Sequence, residues 1–446
     1  VPTVRETPPP EAHEGAEDAL ERARMADLRA EPARVSFRAK AKLEAVLARA
    51  PRADAGGAPG LFGAFAAARL EHARARARAR AKATNSPYTY GALTVAVRGA
   101  TLGGSGATPV ASALAWELAA RGLRVALVGH AHGATPERAR VVRPTDDVRV
   151  VGDEALACAR AFAARARVEG AEGDASPTRA PCPPVVVGPR RADALRFASS
   201  FADVLIADTG PLDADVLLLV VSAEAPWGAG VCLPRGDLRA PRDALLASAD
   251  AVVAVVEQGA VAPSRSALGV PPDKELFAAY CSELFLGEGG VGPPLASLGR
   301  QHAVPRVGLV TAMARPLRAV RAIARAGIAP AFALHAGDHA APSFWQRVSA
   351  RRAARSGTVD LWLASEKCAQ RILRHPRFTN CPTGAPDVDW VAARTRESPA
   401  ASDGRREPLG APVFVFSRRL SLGRRCVDWL LTRAGSIRAE SGEPPG

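Results

Sequence analysis

The sequence predicts an α/β fold, a doubly wound and mostly parallel sheet followed by a second, smaller α/β domain. Three observations predict it. Short continuous runs of Val, Leu and Ala recur between residues 93 and 256, as strands buried on both faces of a parallel sheet should read. Segments with helical spacing separate these runs. A glycine-rich turn, GGSGATP (103–109), joins the first run to the first helical segment, where such sheets hold phosphate.

Residues 1–58 are rich in Pro, Ala, Glu and Arg and bury too little apolar surface to offset their ordering entropy. They are expected to form a disordered tail with one helical segment near 33–49. Residues 59–86 read as a basic amphipathic helix. Leu61, Phe62, Phe65, Ala66 and Leu70 fall at helical spacing, and Arg74, Arg76, Arg78 and Arg80 follow. That pattern suits a peripheral helix on an anionic membrane, and equally a solvated helix packed on the domain. From 87 to 305 the pattern is one nucleotide-binding-type domain with strands expected at 93–97, 124–128, 185–187, 204–207, 216–221 and 251–256. Helices are expected at 109–121 and 190–199. Its last part, 257–305, is Gly- and Pro-rich and reads as a connector. The smaller domain, 306–446, starts at VGLVTA (307–312) and continues with a helix at 316–326, then AFALHAGDHA, VDLWLASEK, APVFVFS and the short helix RRCVDWLLTRAG.

Composition narrows the function. With 446 residues, 48% of them hydrophobic, the chain can bury a sizeable core. No apolar run reaches the roughly 20 residues of a membrane span, and the polar, acidic N-terminal stretch is not expected to act as a secretory signal. The seven cysteines are scattered without a C-x-x-C pair, as reduced thiols of a cytosolic protein would be. A net charge of +14 favours anionic partners such as lipid or phosphorylated substrates. Aromatic residues hardly interleave with the basic ones, so nucleic acid is not expected as a partner.

The chemistry gathers in four stretches. Gly103, Gly104, Ser105 and Gly106 can turn backbone N–H groups toward a phosphate, and Thr108 stands where a hydroxyl would meet Mg²⁺. Ala107 stands where such loops carry lysine. Asp208 ends the apolar run of FADVLIADTG, a position for a Mg²⁺-organising carboxylate. VGDEA contributes Asp153 and Glu154, read either as acid/base groups or as a helix N-terminus. HAGDHA contributes His335, Asp338 and His339, a possible proton-sharing set. His130 and His132 add no complete metal-ligand set.

In this order the motifs resemble those of the tetraacyldisaccharide 4′-kinase family, the lipid A 4′-kinases. The resemblance is carried by TLGGSGATP (101–109), GDEA (152–155), GPRRADAL (188–195), DTGPLD (208–213), LPRGDLRAP (233–241), TAMARP (311–316), DHA (338–340) and SEKC (365–368). It implies a P-loop NTPase-like fold. It also implies transfer of the γ-phosphate of ATP, with Mg²⁺, to the 4′-hydroxyl of a lipid A precursor disaccharide on the cytoplasmic side of the inner membrane. By the same resemblance Asp153 and His339 would activate the hydroxyl beside Asp338. Asp208 and Thr108 would hold Mg²⁺, and residues 103–108 would wrap the phosphates. The chain departs from the family pattern at Ala107, at the turn His130-Ala131-His132, and at Thr209, Leu212, Asp213, Ala340 and Cys368. These departures leave an active kinase and a catalytically impaired relative of the same fold both open, with Arg98, Arg190 and Arg191 as candidates to replace the missing lysine.

Overall fold

The computed structural model describes residues 61–83, 88–171, 182–233, 235–300, 305–313, 315–372 and 409–440. The expected tail 1–58 and its 33–49 helix lie outside the described residues.

The chain runs through α1 (Leu61–Ala83), β1 (Leu93–Gly99), α2 (Ala107–Ala120), β2 (Val125–Val128), β3 (Arg140–Val141), α3 (Val148–Val151) and α4 (Asp153–Ala171). It continues with β4 (Val185–Val187), α5 (Arg191–Ser199), β5 (Val204–Asp208), β6 (Val216–Ser222), α6 (Arg242–Ser248), β7 (Ala251–Val256) and α7 (Arg265–Leu268). Next come β8 (Glu275–Cys281), β9 (Phe285–Leu286), β10 (Val307–Thr311), α8 (Pro316–Arg325), β11 (Phe332–His335) and α9 (Phe344–Arg355). Last are β12 (Leu361–Ser365), α10 (Glu366–Ile372), β13 (Val413–Ser417), β14 (Leu420–Leu422) and α11 (Arg424–Glu440).

The larger sheet has nine strands in the order β14-β8-β7-β6-β1-β5-β2-β4-β3. Its core pairings are parallel, and only β14–β8 and β3–β4 are antiparallel. β1, β2 and β4 to β7 fold as strands because their Val, Leu and Ala side chains alternate between two buried faces. Val95 and Val97 join Leu114 and Trp116 on one side, while Ala96 joins Leu217 and Leu246 on the other. The smaller sheet, β11-β10-β12-β13-β9, is parallel except for β9.

Two boundaries differ from the sequence expectation. The connector 257–305 supplies a strand to each sheet: β8 lies beside β7, and β9 pairs with β13. The chain's last strand and helix do not stay with the smaller domain. β14 pairs with β8, and Leu422, Cys426, Val427 and Leu430 complete the core beneath α2. Burial of that apolar face draws the C-terminal helix back to the larger sheet. Among the described residues the polypeptide therefore crosses between the sheets at 282–284 and at 418–419.

Glu257, just past β7, ties the domains together. Arg418 at the second crossing is bonded to it, Arg318 of α8 lies 3.1 Å away and Arg325 3.7 Å away. Burial disfavours the Glu257 carboxylate, but these arginines outweigh it and hold its pKa below the usual range.

Candidate active site

The glycine loop leaves the C-terminal end of β1 and enters α2. Gly104 (φ 75°) and Gly106 (φ 90°) adopt left-handed conformations that favour glycine. A Cβ at Gly104 would stand 2.7 Å from Arg315 Cδ, and one at Gly106 would stand 2.9 Å from Val255 Cγ2. Ser105 Oγ accepts from the Thr101 N–H (3.1 Å), and the Thr101 hydroxyl donates to Gly103 O (2.8 Å), so the loop is closed on itself. Gly106 caps α2 with no side-chain bond to the helix's first N–H groups. Those donors and the positive end of the helix dipole are open to an anion.

RGDLRAP (235–241) runs along this loop. The Leu102 N–H donates to Asp237 O (2.8 Å), and the Arg239 N–H donates to Ala100 O (3.0 Å). Arg239 Nε then reaches Thr101 O (2.9 Å). From the smaller domain, Arg318 donates to Gly104 O and Arg315 pairs with Asp237. Three guanidiniums thus surround a loop that lacks its own lysine. The sequence alone does not single out these three arginines, because they lie in separate motifs far from the loop along the chain. Arg98 points elsewhere, donating to Gly210 O (2.6 Å); burial, then repulsion from Arg239 and Arg191, lowers its pKa to about 10. Arg191 donates to the backbone of Asp208, and Arg190 is exposed.

Asp208 ends β5 next to the loop, in register with Val97 of β1. Thr108 Oγ donates to its Oδ2 (2.7 Å). Asp208 is buried, and desolvation, reinforced by Glu154, pushes its pKa up to about 6. A carboxylate raised in this way, beside a hydroxyl oxygen, suits a hard dication, which would neutralise it. Thr209 follows at φ 50°, a strained conformation for a β-branched residue.

The second cluster is built on α4, α10 and the loop after β11. Asp153 opens α4 and is 1% exposed. His339 Nδ1 lies 3.0 Å from both of its oxygens, and Arg371 Nε lies 3.2 Å from Oδ2. On the other edge of the imidazole, Lys367 Nζ is 3.0 Å from Nε2. Lys367 also bonds Glu154 (3.0 Å) and faces Asp338 at 3.6 Å. Lys367 and Arg371 converge because residues four apart share a face of α10.

Burial raises the Asp153 pKa, but the His339 hydrogen bond and the charges of Lys367 and Arg371 outweigh it, so the net shift is downward. An ionised carboxylate only accepts and an ammonium only donates. The proton of His339 is therefore on Nδ1, and Nε2 is the acceptor. His339 itself sits at φ 56°, and its ring is 4.3 Å from that of His132. Burial, then the charges of Arg191 and His132, lowers the pKa of the neighbouring His130. Asp338 lies 3.9 Å from His339 Nε2, at the rim and outside hydrogen-bond reach.

A cavity of about 700 Å³ joins the two clusters, lined by the loop, Arg239, Arg315, Arg318, His339 and Lys367. Asp153 is absent from its lining and stands behind His339. Among the described residues no group of three His, Cys, Asp or Glu forms a metal cluster, and His335 is buried at the end of β11 with its Nδ1 3.1 Å from the Thr311 hydroxyl. The expected arginine face of α1 is partly internal: Arg74 bonds Asp250 (2.7 Å), while Phe62 and Phe65 stay exposed.

The profile of the family described as tetraacyldisaccharide-1-P 4′-kinase, LpxK, matches residues 61–396. The tetraacyldisaccharide 4′-kinase of Anaeromyxobacter dehalogenans is 34% identical over 305 residues, covering 63% of this chain and 74% of that protein. Its counterpart from Acidithiobacillus ferrooxidans is 33% identical over 249 residues, covering 53% of this chain and 66% of that protein. In fold, the chain is similar to LpxK of Aquifex aeolicus, solved in complex with ATP. The TM-score is 0.51 at 15% identity, over 84% of this chain and 97% of the other.

Proposed function

This chain belongs to the tetraacyldisaccharide-1-P 4′-kinase family, and from that premise we propose that it transfers the γ-phosphate of ATP to the 4′-hydroxyl of a tetraacyldisaccharide 1-phosphate, a lipid A precursor. The observation that carries the reading is the shared cavity: a phosphate-type loop and His339, backed by Asp153, face one space.

In the proposed reaction the substrate 4′-oxygen attacks the γ-phosphorus, and the bond from that phosphorus to the β,γ-bridging oxygen breaks, leaving ADP. The hydroxyl proton passes to His339 Nε2, which must first release Lys367; Glu154 and Asp338 keep that ammonium in place when it swings away. Asp153, behind the ring, holds the Nδ1–H and stabilises the imidazolium that forms. Thr108 and Asp208 are the residues fit to hold Mg²⁺, which when bound would neutralise phosphate charge. Arg239 supplies the cation that Ala107 does not, with Arg315 and Arg318 fixing the loop around it.

The acyl chains of the substrate require a membrane surface, and α1, with Phe62 and Phe65 outward, is the proposed contact on the cytoplasmic side of the inner membrane. No helix among the described residues is long and apolar enough to cross a membrane. The test is incubation of the full chain with γ-labelled ATP, Mg²⁺ and the disaccharide 1-phosphate in detergent micelles. Label in the 4′-phosphorylated lipid is expected; label no greater than in an enzyme-free blank overturns the reading.

A further inference from the structure

The helix that follows the His339 loop presents an unusual outer face. α9, FWQRVSARRAAR, carries four arginines and no acidic residue in 12 residues. Phe344 is 66% exposed and Trp345 74%, with their rings edge to face at 5.2 Å. Two adjacent large aromatics are rarely left in water without a partner surface. At about 100° per residue, the buried Ala350 and Ala353 point toward the smaller sheet, and the aromatic pair and the exposed Arg347, Arg351, Arg352 and Arg355 share the opposite arc. The first turn is held firmly. Ser343 and Gln346 form a capping box, and the Gln346 side-chain amide donates to His335 O (2.7 Å). The pair is thus held out from a fixed helix end.

We propose that this face of α9 seats on an anionic lipid bilayer, as a second membrane contact beside α1. The face is convex, so it cannot enclose a peptide, and it sets apolar rings next to cations. A plane with an anionic surface over an apolar interior matches both features. The rings enter the acyl boundary while the guanidiniums stay at the headgroups. Phe344 follows His339 by five residues, so the contact would hold the cleft against the membrane in which a multiply acylated substrate resides. The lipid contact itself does not depend on the phosphoryl-transfer chemistry.

The experiment is co-sedimentation of the full chain with vesicles of phosphatidylcholine alone or with one quarter phosphatidylglycerol, with no lipid A precursor present. Native protein is expected to partition at least tenfold more strongly onto the anionic vesicles; equal partitioning onto both overturns the anionic assignment. The variants Phe344→Ser/Trp345→Ser and Arg351→Glu/Arg352→Glu should each lower that partitioning at least fivefold, and a smaller loss in either overturns the proposal. Quenching by brominated lipid gives a readout in a conservatively substituted chain. Trp345→Phe should remove most of the vesicle-dependent quenching, and quenching equal to native places Trp345 outside the bilayer.

Discussion

Replacing Asp153 with Asn isolates the role of the buried carboxylate. Asn keeps the shape and one oxygen to accept the His339 Nδ1–H, but it removes the charge that faces His339 and Arg371. Its amide nitrogen would point at Arg371 Nε, donor against donor, 3.2 Å away in the native geometry. Leaving one buried donor unmade costs about 1–3 kcal/mol of stability. Loss of the anion that stabilises the imidazolium should slow transfer by about 10³-fold, or ~4 kcal/mol of barrier. Asp153 is not part of the cavity lining and does not touch the glycine loop, so the KM for ATP should stay within about twofold. The assay is steady-state transfer, with ATP affinity measured separately by calorimetry. A turnover within about fivefold of native would refute the Asp153–His339 assignment.

Other outcomes follow from the same geometry. Thr108→Val should raise the Mg²⁺ concentration needed for half-maximal rate about tenfold, read from a Mg²⁺ titration, because only Asp208 would remain as a ligand. Glu257→Gln should destabilise the fold by about 3 kcal/mol in denaturant unfolding, since three arginines lose their common anion. The Glu257 pKa is depressed on folding, so its contribution is present above about pH 4.5 and lost as pH falls through the folded value. Glu366 has the opposite sign: burial pushes it up to about 8. The folded chain then holds a proton that the unfolded chain releases, and stability falls as pH rises from 4.5 to 8. The span corresponds to at most ~5 kcal/mol. Glu366→Gln, which still accepts the Gly289 N–H, should be more stable than native at pH 8 and indistinguishable from it near pH 4.5.

Strands β1, β2, β4, β5, β6 and β7 were legible in the sequence because each is a mostly apolar run buried on both faces. β8 was not, since ELFAAYC is only half buried and lies in a Pro/Gly-rich stretch, and the two- and three-residue strands β9 and β14 carry no periodicity. The return of α11 to the larger sheet is a long-range packing choice that no local pattern encodes. In the site, Asp153, His339, Thr108 and Asp208 stood out because their residue types and neighbours are chemically distinctive. Arg239, Arg315, Arg318, Lys367 and Arg371 did not. They are five of 59 basic residues, and they meet the loop, Asp237, Asp153 and Glu154 only when segments 78 to 218 residues apart are folded together.

The most direct test of the account concerns the missing lysine. Single-turnover transfer rates with saturating Mg²⁺-ATP would be compared for the native chain, Arg239→Met, and Arg239→Met combined with Ala107→Lys. Native is expected to transfer phosphate, Arg239→Met to slow transfer by about 10²–10³-fold, and Ala107→Lys to recover at least tenfold of the loss. A native chain that is silent until Ala107 becomes lysine, or an Arg239→Met rate equal to native, would contradict it.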